Sequence, residues 1–306
     1  MAREIVIGTR DSALALWQAR WVLEQLQKHH PEHTFKMVEM KTQGDKILDV
    51  ALAKIGDKGL FTKELEIAML NREIDLAVHS MKDLPTRLPE GLTIGAICVR
   101  EEPGDVLIGR TAHSVDELPQ GAKVGTSSLR RRAQLKKHRP DLQIEDLRGN
   151  LNTRMRKLEE QGFDAIVLAA AGVIRLGWED RISQRIPFGI SLPAVGQGSV
   201  GIEIREGDEE ILKLVKVLED PAAAMAITAE RTMLRTLEGG CQIPIGAYGR
   251  IEDGQLVLDG LVASLDGETI LRTQVKGEPG EAEKIGLQAA QNLLDQGAQE
   301  VLKSLR

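Results

Sequence analysis

Aromatic residues are scarce in this 306-residue chain, 3% of the total. Stacking on nucleic-acid bases or on sugars therefore cannot dominate its binding. Cysteine is scarcer still: Cys98 and Cys241 are the only two. Two thiols make neither a metal cluster nor a disulfide framework, which fits a reducing compartment. No apolar run is long enough to span a bilayer. The opening Met1-Ala2-Arg3-Glu4-Ile5 lacks the charged start, apolar stretch and cleavage site of a secretory signal. A cytoplasmic protein without membrane partners is expected. Positive charge is not in excess either: 40 Lys and Arg against 46 Asp and Glu give a net charge of −6. That excludes a general polyanion binder and argues against a nucleic-acid partner. Any anion site must be a local gathering of basic residues.

What is present is an ordinary globular balance, 42% hydrophobic and 28% charged, in a chain long enough for two or three domains. The β-branched run Ile5-Val6-Ile7 leads to Gly8-Thr9. A helix follows from about Asp11, with Leu16, Ala19, Leu23 and Leu26 at helical spacing. The unit returns as Ala122-Lys123-Val124, then Gly125-Thr126-Ser127-Ser128, then a helix through Arg130 and Leu135. A second pair matches as well. A helix over Gly59–Glu73 feeds a strand over Asp75–Val78, and a helix over Gly149–Gln161 feeds a strand over Asp164–Leu168. Such alternation predicts mostly parallel α/β sheets, in two like domains with a cleft between them or in one larger doubly wound sheet. After Asp220-Pro221, an N-cap followed by a first-turn proline, the pattern changes. One helix stops at Gly239-Gly240. Strands follow near Ala247–Ile251, Gln255–Val262 and Thr269–Lys276, separated by Asp253-Gly254 and Asp266-Gly267, and a helix occupies much of Glu281–Leu305. This segment reads as an α+β domain.

The chemistry is carried by the placement of arginines. Arg10 follows the first strand, Arg130, Arg131 and Arg132 open the helix after Gly125–Ser128, and Arg148 and Arg154 flank the start of another. Cations at helix N-termini are disfavoured by about 0.3–1 kcal/mol, so the pattern makes sense around a bound carboxylate or phosphate. Equally, Arg130–Arg132 with Lys136 and Lys137 could form a solvated helix face. His79-Ser80-Met81-Lys82-Asp83-Leu84-Pro85 follows a strand, where α/β sheets place ligand groups. Asp83 is either a group facing developing positive charge or a turn former near a proline. Cys241 sits in a glycine-rich loop with no histidine adjacent. It suits a one-time covalent anchor, or a structural loop position, better than a turnover nucleophile. Cys98 reads as core packing.

Five segments in order, Gly8–Leu16, His79–Pro85, Val124–Arg131, Leu147–Asn150 and Leu192–Gly198, resemble the hydroxymethylbilane synthase (porphobilinogen deaminase) family along the whole chain. The resemblance implies an α/β fold of two lobes like type II periplasmic binding proteins, the first discontinuous, plus an α+β domain with a three-stranded antiparallel sheet. It places the domains at 1–99 with 200–218, at 100–199 and at 219–306, with hinges near Arg100–Gly104 and Gly196–Ser199. It implies a cytoplasmic monomer that deaminates and joins four porphobilinogen molecules on a dipyrromethane cofactor held by a thioether at Cys241. Asp83 would be the catalytic carboxylate. Arg10, Arg130, Arg131, Arg148, Arg154 and Arg175 would bind the acetates and propionates of cofactor and substrate, and Ser12, Lys82, Thr126, Ser127 and Ser128 would make other polar contacts to cofactor or substrate. Thr42–Gly59, with Gly44, Lys54, Gly56 and Lys58, would be a mobile loop. The alternative is a two-lobed binding protein for small polycarboxylate anions, since fold does not fix function.

Overall fold

A computed structural model describes residues 3–46, 60–237 and 243–303. Cys241, Gly239, Gly240 and most of the Thr42–Gly59 segment lie outside the described residues. The chain divides into two units, Met1–Glu101 with Ser199–Ala224, and Glu102–Gly198 with Met225–Arg306.

The first unit runs β1 (Glu4–Arg10), α1 (Ala13–His29), β2 (Thr34–Met40), α2 (Gln43–Lys46), α3 (Lys63–Leu70), β3 (Leu76–Ser80) and β4 (Leu92–Ile97). Later the chain returns to it. In the second unit come β5 (Asp105–Gly109), β6 (Lys123–Gly125), α4 (Leu129–His138), β7 (Gln143–Glu145), α5 (Leu151–Glu160), β8 (Ala165–Ala169), α6 (Ala170–Arg175) and β9 (Gln184–Ile186). β10 (Val200–Arg205) and α7 (Glu209–Lys216) complete the first unit, and α8 (Pro221–Thr236) leads away from it. Asp220 caps α8 as expected, its Oδ1 accepting from the Ala223 N–H at 2.7 Å.

The two five-stranded sheets are built alike, in the orders β2-β1-β3-β10-β4 and β7-β6-β8-β5-β9. In each, three strands pair in parallel and one strand opposes its two neighbours: β10 in the first, β5 in the second. The opposed strand is in both cases the first one entered after the chain arrives from the other unit. The sheets are mostly parallel, as the helix–strand alternation predicts, but the alternation does not single out these two opposed strands, because local pattern carries no direction. Buried apolar side chains explain the sheets. Ile5 and Ile7 of β1, fully buried, pack with Ala19, Val22 and Leu26 of α1, and Cys98 joins that core. In the second unit Leu107, Val124, Leu135, Ala165 and Val167 do the same. The matching four-element repeats thus end as neighbouring strands, β1 beside β3 and β6 beside β8. The expected two α/β lobes, the first discontinuous, are present.

The second unit also holds the antiparallel sheet β11 (Ile245–Glu252), β12 (Gln255–Ala263) and β13 (Ile270–Gly277), paired in sequence order. The single C-terminal helix expected is instead two, α9 (Ala282–Asp295) and α10 (Ala298–Lys303). Gly297 between them has φ 98°, a left-handed conformation that ends one helix before the next begins.

Candidate active site

In the first unit the candidates gather at the carboxyl ends of two neighbouring parallel strands. Arg10 is the last residue of β1, and its guanidinium lies over the Phe61 ring, 4.3 Å from the centroid. Ser12 caps α1, its Oγ accepting from the Ala15 N–H at 3.4 Å. β3 ends at Ser80 and passes at once into a single 3-10 turn, Met81–Asp83. Met81 and Leu84 are buried, 1% and 3% exposed, while Lys82 and Asp83 between them are half-buried. Two apolar anchors thus hold a short polar turn at the sheet edge.

In the second unit, β6 and β7 run side by side and open onto the two other motifs. The Thr126 N–H donates to the Glu145 carbonyl at 2.9 Å, continuing the ladder past β6. Ser127 Oγ accepts from the Leu147 N–H at 3.0 Å, so the Gly125–Ser128 and Leu147–Asn150 segments are tied together. Ser128 caps α4, accepting from the Arg131 N–H at 3.4 Å, and Asn150 caps α5, accepting from the Thr153 N–H at 2.9 Å. Arg154 Nε donates to the Gly149 carbonyl at 2.8 Å, and Arg175 Nη2 to the Gly198 carbonyl at 2.7 Å. Arg148 is different. Its Nη1 is buried and has no hydrogen-bond partner among the described residues. A buried cationic donor left unpaired is costly, and a carboxylate is the group that relieves it.

Arg130 and Arg131 turn inward. They are 4% and 5% exposed and share one fully buried carboxylate, Asp105, at the start of β5. Asp105 accepts from Arg130 Nη1 at 2.7 Å, and from Arg131 Nη2 and Nε at 2.7 and 3.0 Å. Ser191 Oγ and Gln197 Nε2 donate to it at 2.7 and 2.9 Å. Arg130 also donates to the Leu192 carbonyl at 2.6 Å, and Arg131 to the Val167 carbonyl at 3.0 Å. Burial alone would raise the Asp105 carboxyl, but the two guanidiniums override it and hold the group well below the usual carboxylate range. Only Arg132, paired with Asp146 at 3.3 Å, and the lysines beyond it form the solvated face. Two cations on one carboxylate leave one positive charge unbalanced within this cluster.

The structure therefore brings Arg10, Ser12, Lys82 and Asp83 together on one sheet edge, and Thr126–Arg131 with Arg148 and Arg154 on the other. Arg175 is bonded into the Leu192–Gly198 motif. Asp105, Ser191 and Gln197 were not singled out from the sequence. Asp105 follows Pro103-Gly104 and heads the apolar run Val106-Leu107-Ile108, and a lone acid opening a buried strand is the signal that could have found it.

Two family models match the chain: "Porphobilinogen deaminase, dipyromethane cofactor binding domain" over residues 5–213 and "Porphobilinogen deaminase, C-terminal domain" over residues 224–295. Curated relatives named porphobilinogen deaminase are 57% identical in Desulforamulus reducens (100% of this chain, 99% of the relative) and 60% identical in Carboxydothermus hydrogenoformans (100% and 98%). One from Gloeobacter violaceus is 58% identical (100% and 94%). Two solved structures resemble it distantly. A Salmonella typhimurium periplasmic binding protein of high arginine specificity is 14% identical with a TM-score of 0.43, covering 73% of this chain and 94% of its own. A probable amino-acid transporter binding protein from Bacillus subtilis is 13% identical with a TM-score of 0.45, covering 70% and 89%.

Proposed function

The chain belongs to the porphobilinogen deaminase family, and we propose that it performs the reaction of that family: four porphobilinogen molecules lose ammonia, are joined head to tail and leave as hydroxymethylbilane. The observation that carries this reading is Arg148 Nη1, buried and without a hydrogen-bond partner among the described residues, in the segment that Ser127 ties to Gly125–Ser128. Each pyrrole bears two carboxylates, so a growing pyrrole chain needs many such donors.

The residues fit a bound dipyrromethane. Arg148, Arg154 and Arg175 offer guanidinium groups, Thr126, Ser127 and Ser128 offer hydroxyls, and the Arg130–Arg131–Asp105 cluster adds an unbalanced positive charge. These side chains would hold the acetate and propionate groups, with Cys241 as the thioether anchor. When bound, the dipyrromethane supplies the nucleophilic α-carbon to which the first substrate is joined.

Asp83 acts on porphobilinogen itself. As ammonia departs from the aminomethyl carbon, positive charge develops on that methylene and spreads to the pyrrole nitrogen. A carboxylate accepting from the pyrrole N–H stabilises this charge. Met81 and Leu84 anchor the two ends of the turn in the core, which helps to hold the carboxylate ready for the reaction. Lys82 and Arg10 take substrate carboxylates, and Ser12 adds a hydroxyl. In this reading the protein works as a cytoplasmic monomer whose domains are 1–99 with 200–218, 100–199 and 219–306.

The test is intact mass combined with turnover. The purified protein should exceed its polypeptide mass by two linked pyrroles, and C241S should not. D83N should keep the fold and lose nearly all turnover. Active protein at the bare polypeptide mass would exclude the covalent cofactor, and near-normal turnover of D83N would exclude the role of Asp83.

A further inference from the structure

Beneath the Lys82–Asp83 turn lies a group of buried polar side chains that the reaction does not use. We infer that the His79–Glu203 pair, with Glu66 beside it, is the positioning device that fixes this turn; the inference rests on the role of Asp83 proposed above.

His79 Nε2 and Glu203 Oε2 are 2.9 Å apart, with side chains 3% and 0% exposed. Glu203 stands in β10 between Ile202 and Ile204, both buried apolar residues. Its strand pairs antiparallel with β3, Gly201 facing His79 and Glu203 facing Ala77, so the bonded pair is diagonal across the ladder. Glu66 of α3 is 6% exposed. Burial pushes its carboxyl up, and the Glu203 charge pushes the same way. Glu203 Oε1, Glu66 Oε1 and Ser199 Oγ are buried and lack partners among the described residues.

Such a cluster is a poor stabiliser. Removing a charge from water costs several kcal/mol, and well-packed apolar residues serve a core as well or better. Its place in the chain shows what it does instead. The turn takes its register from β10, because the Met81 N–H donates to the Ser199 carbonyl at 2.9 Å. The Met81 side chain fills the space over Gly201, where a Cβ would meet its sulfur at 2.2 Å. From the other side, Gln18 Nε2 of α1 donates to Ser80 Oγ at 2.9 Å. His79 is the last buried side chain of β3 before the turn, and its bond to Glu203 is the side-chain link holding β3 against β10 at that point. Slippage there would carry Lys82 and Asp83 with it.

Steady-state kinetics, intact mass and amide exchange on the full-length, cofactor-loaded protein test this. H79L and E203L should keep the cofactor mass while kcat falls about tenfold or more at nearly constant KM, since transition-state contacts are lost. Amide exchange at Met81 should accelerate about tenfold as the local opening energy falls. H79Q, whose amide nitrogen reaches the place of Nε2, should restore both. H79N, too short to reach, should not. Should the leucine variants fail to fold, the Gln and Asn pair decides, and equal behaviour of the two overturns the inference. D83N is measured alongside. If it is inactive while folded H79L and E203L keep wild-type kcat and Met81 protection, only the positioning role is lost. If it is active, the reading of Asp83 itself fails.

Discussion

Two arginines, a serine and a glutamine converge on Asp105, and its ionisation is therefore bound up with the fold. Its carboxyl is depressed in the folded protein, so the stability it contributes is present above the unfolded value of about 3.9 and is lost as pH falls below it. D105A should destabilise the protein by about 3–5 kcal/mol at pH 7, because two buried guanidiniums lose their counter-charge. Urea unfolding at several pH values checks both statements: the wild type should lose stability on the acid side, and the variant should lose less. Glu66 has the opposite sign. Its carboxyl is raised, so its contribution is present below the unfolded value of about 4.3 and is lost as pH rises through the folded one. E66Q should therefore be neutral or stabilising at pH 7. A loss of more than about 1 kcal/mol in that variant would show that the ionised form is the one the fold requires.

Among the elements, α5 couples local structure to the site most directly. Its N-cap is Asn150, whose side chain accepts from both the Thr153 N–H and the Thr153 hydroxyl, and Arg154 lies one turn further on. N150A should cost about 1 kcal/mol, whereas N150D, which keeps an accepting oxygen, should cost little. Fraying of the first turn would loosen Arg154 from the Gly149 carbonyl. KM for porphobilinogen should then rise more than kcat falls. A full loss of kcat at unchanged KM would place Arg154 in the chemistry and not in binding.

For the molecule as a whole, the net charge of −6 means that substrate carboxylates are drawn only by local fields. The screening length is about 10 Å at 0.1 M salt and about 3 Å at 1 M, so half-buried arginines lose reach as salt rises. KM should climb with added KCl while kcat stays nearly level. A KM indifferent to salt would argue that substrate capture depends on close contacts alone.

Periodicity, strand composition and caps are short-range properties, and residues 3–29, 120–170 and 219–277 therefore announce most of their helices and strands locally. Ser12, Ser128 and Asn150 sit at the helix starts that these signals mark, and Asp83 and the arginines stand in short motifs with an unmistakable order. The directions of β5 and β10, the inward turn of Arg130 and Arg131, and the meeting of His79 with Glu203 are decided elsewhere. Asp105 is 25 positions from Arg130, and His79 is 124 from Glu203. Partners so far apart in the chain leave no mark on local propensity. Burial makes an unpaired charge costly enough to force each to find the other, and only the folded core supplies that burial.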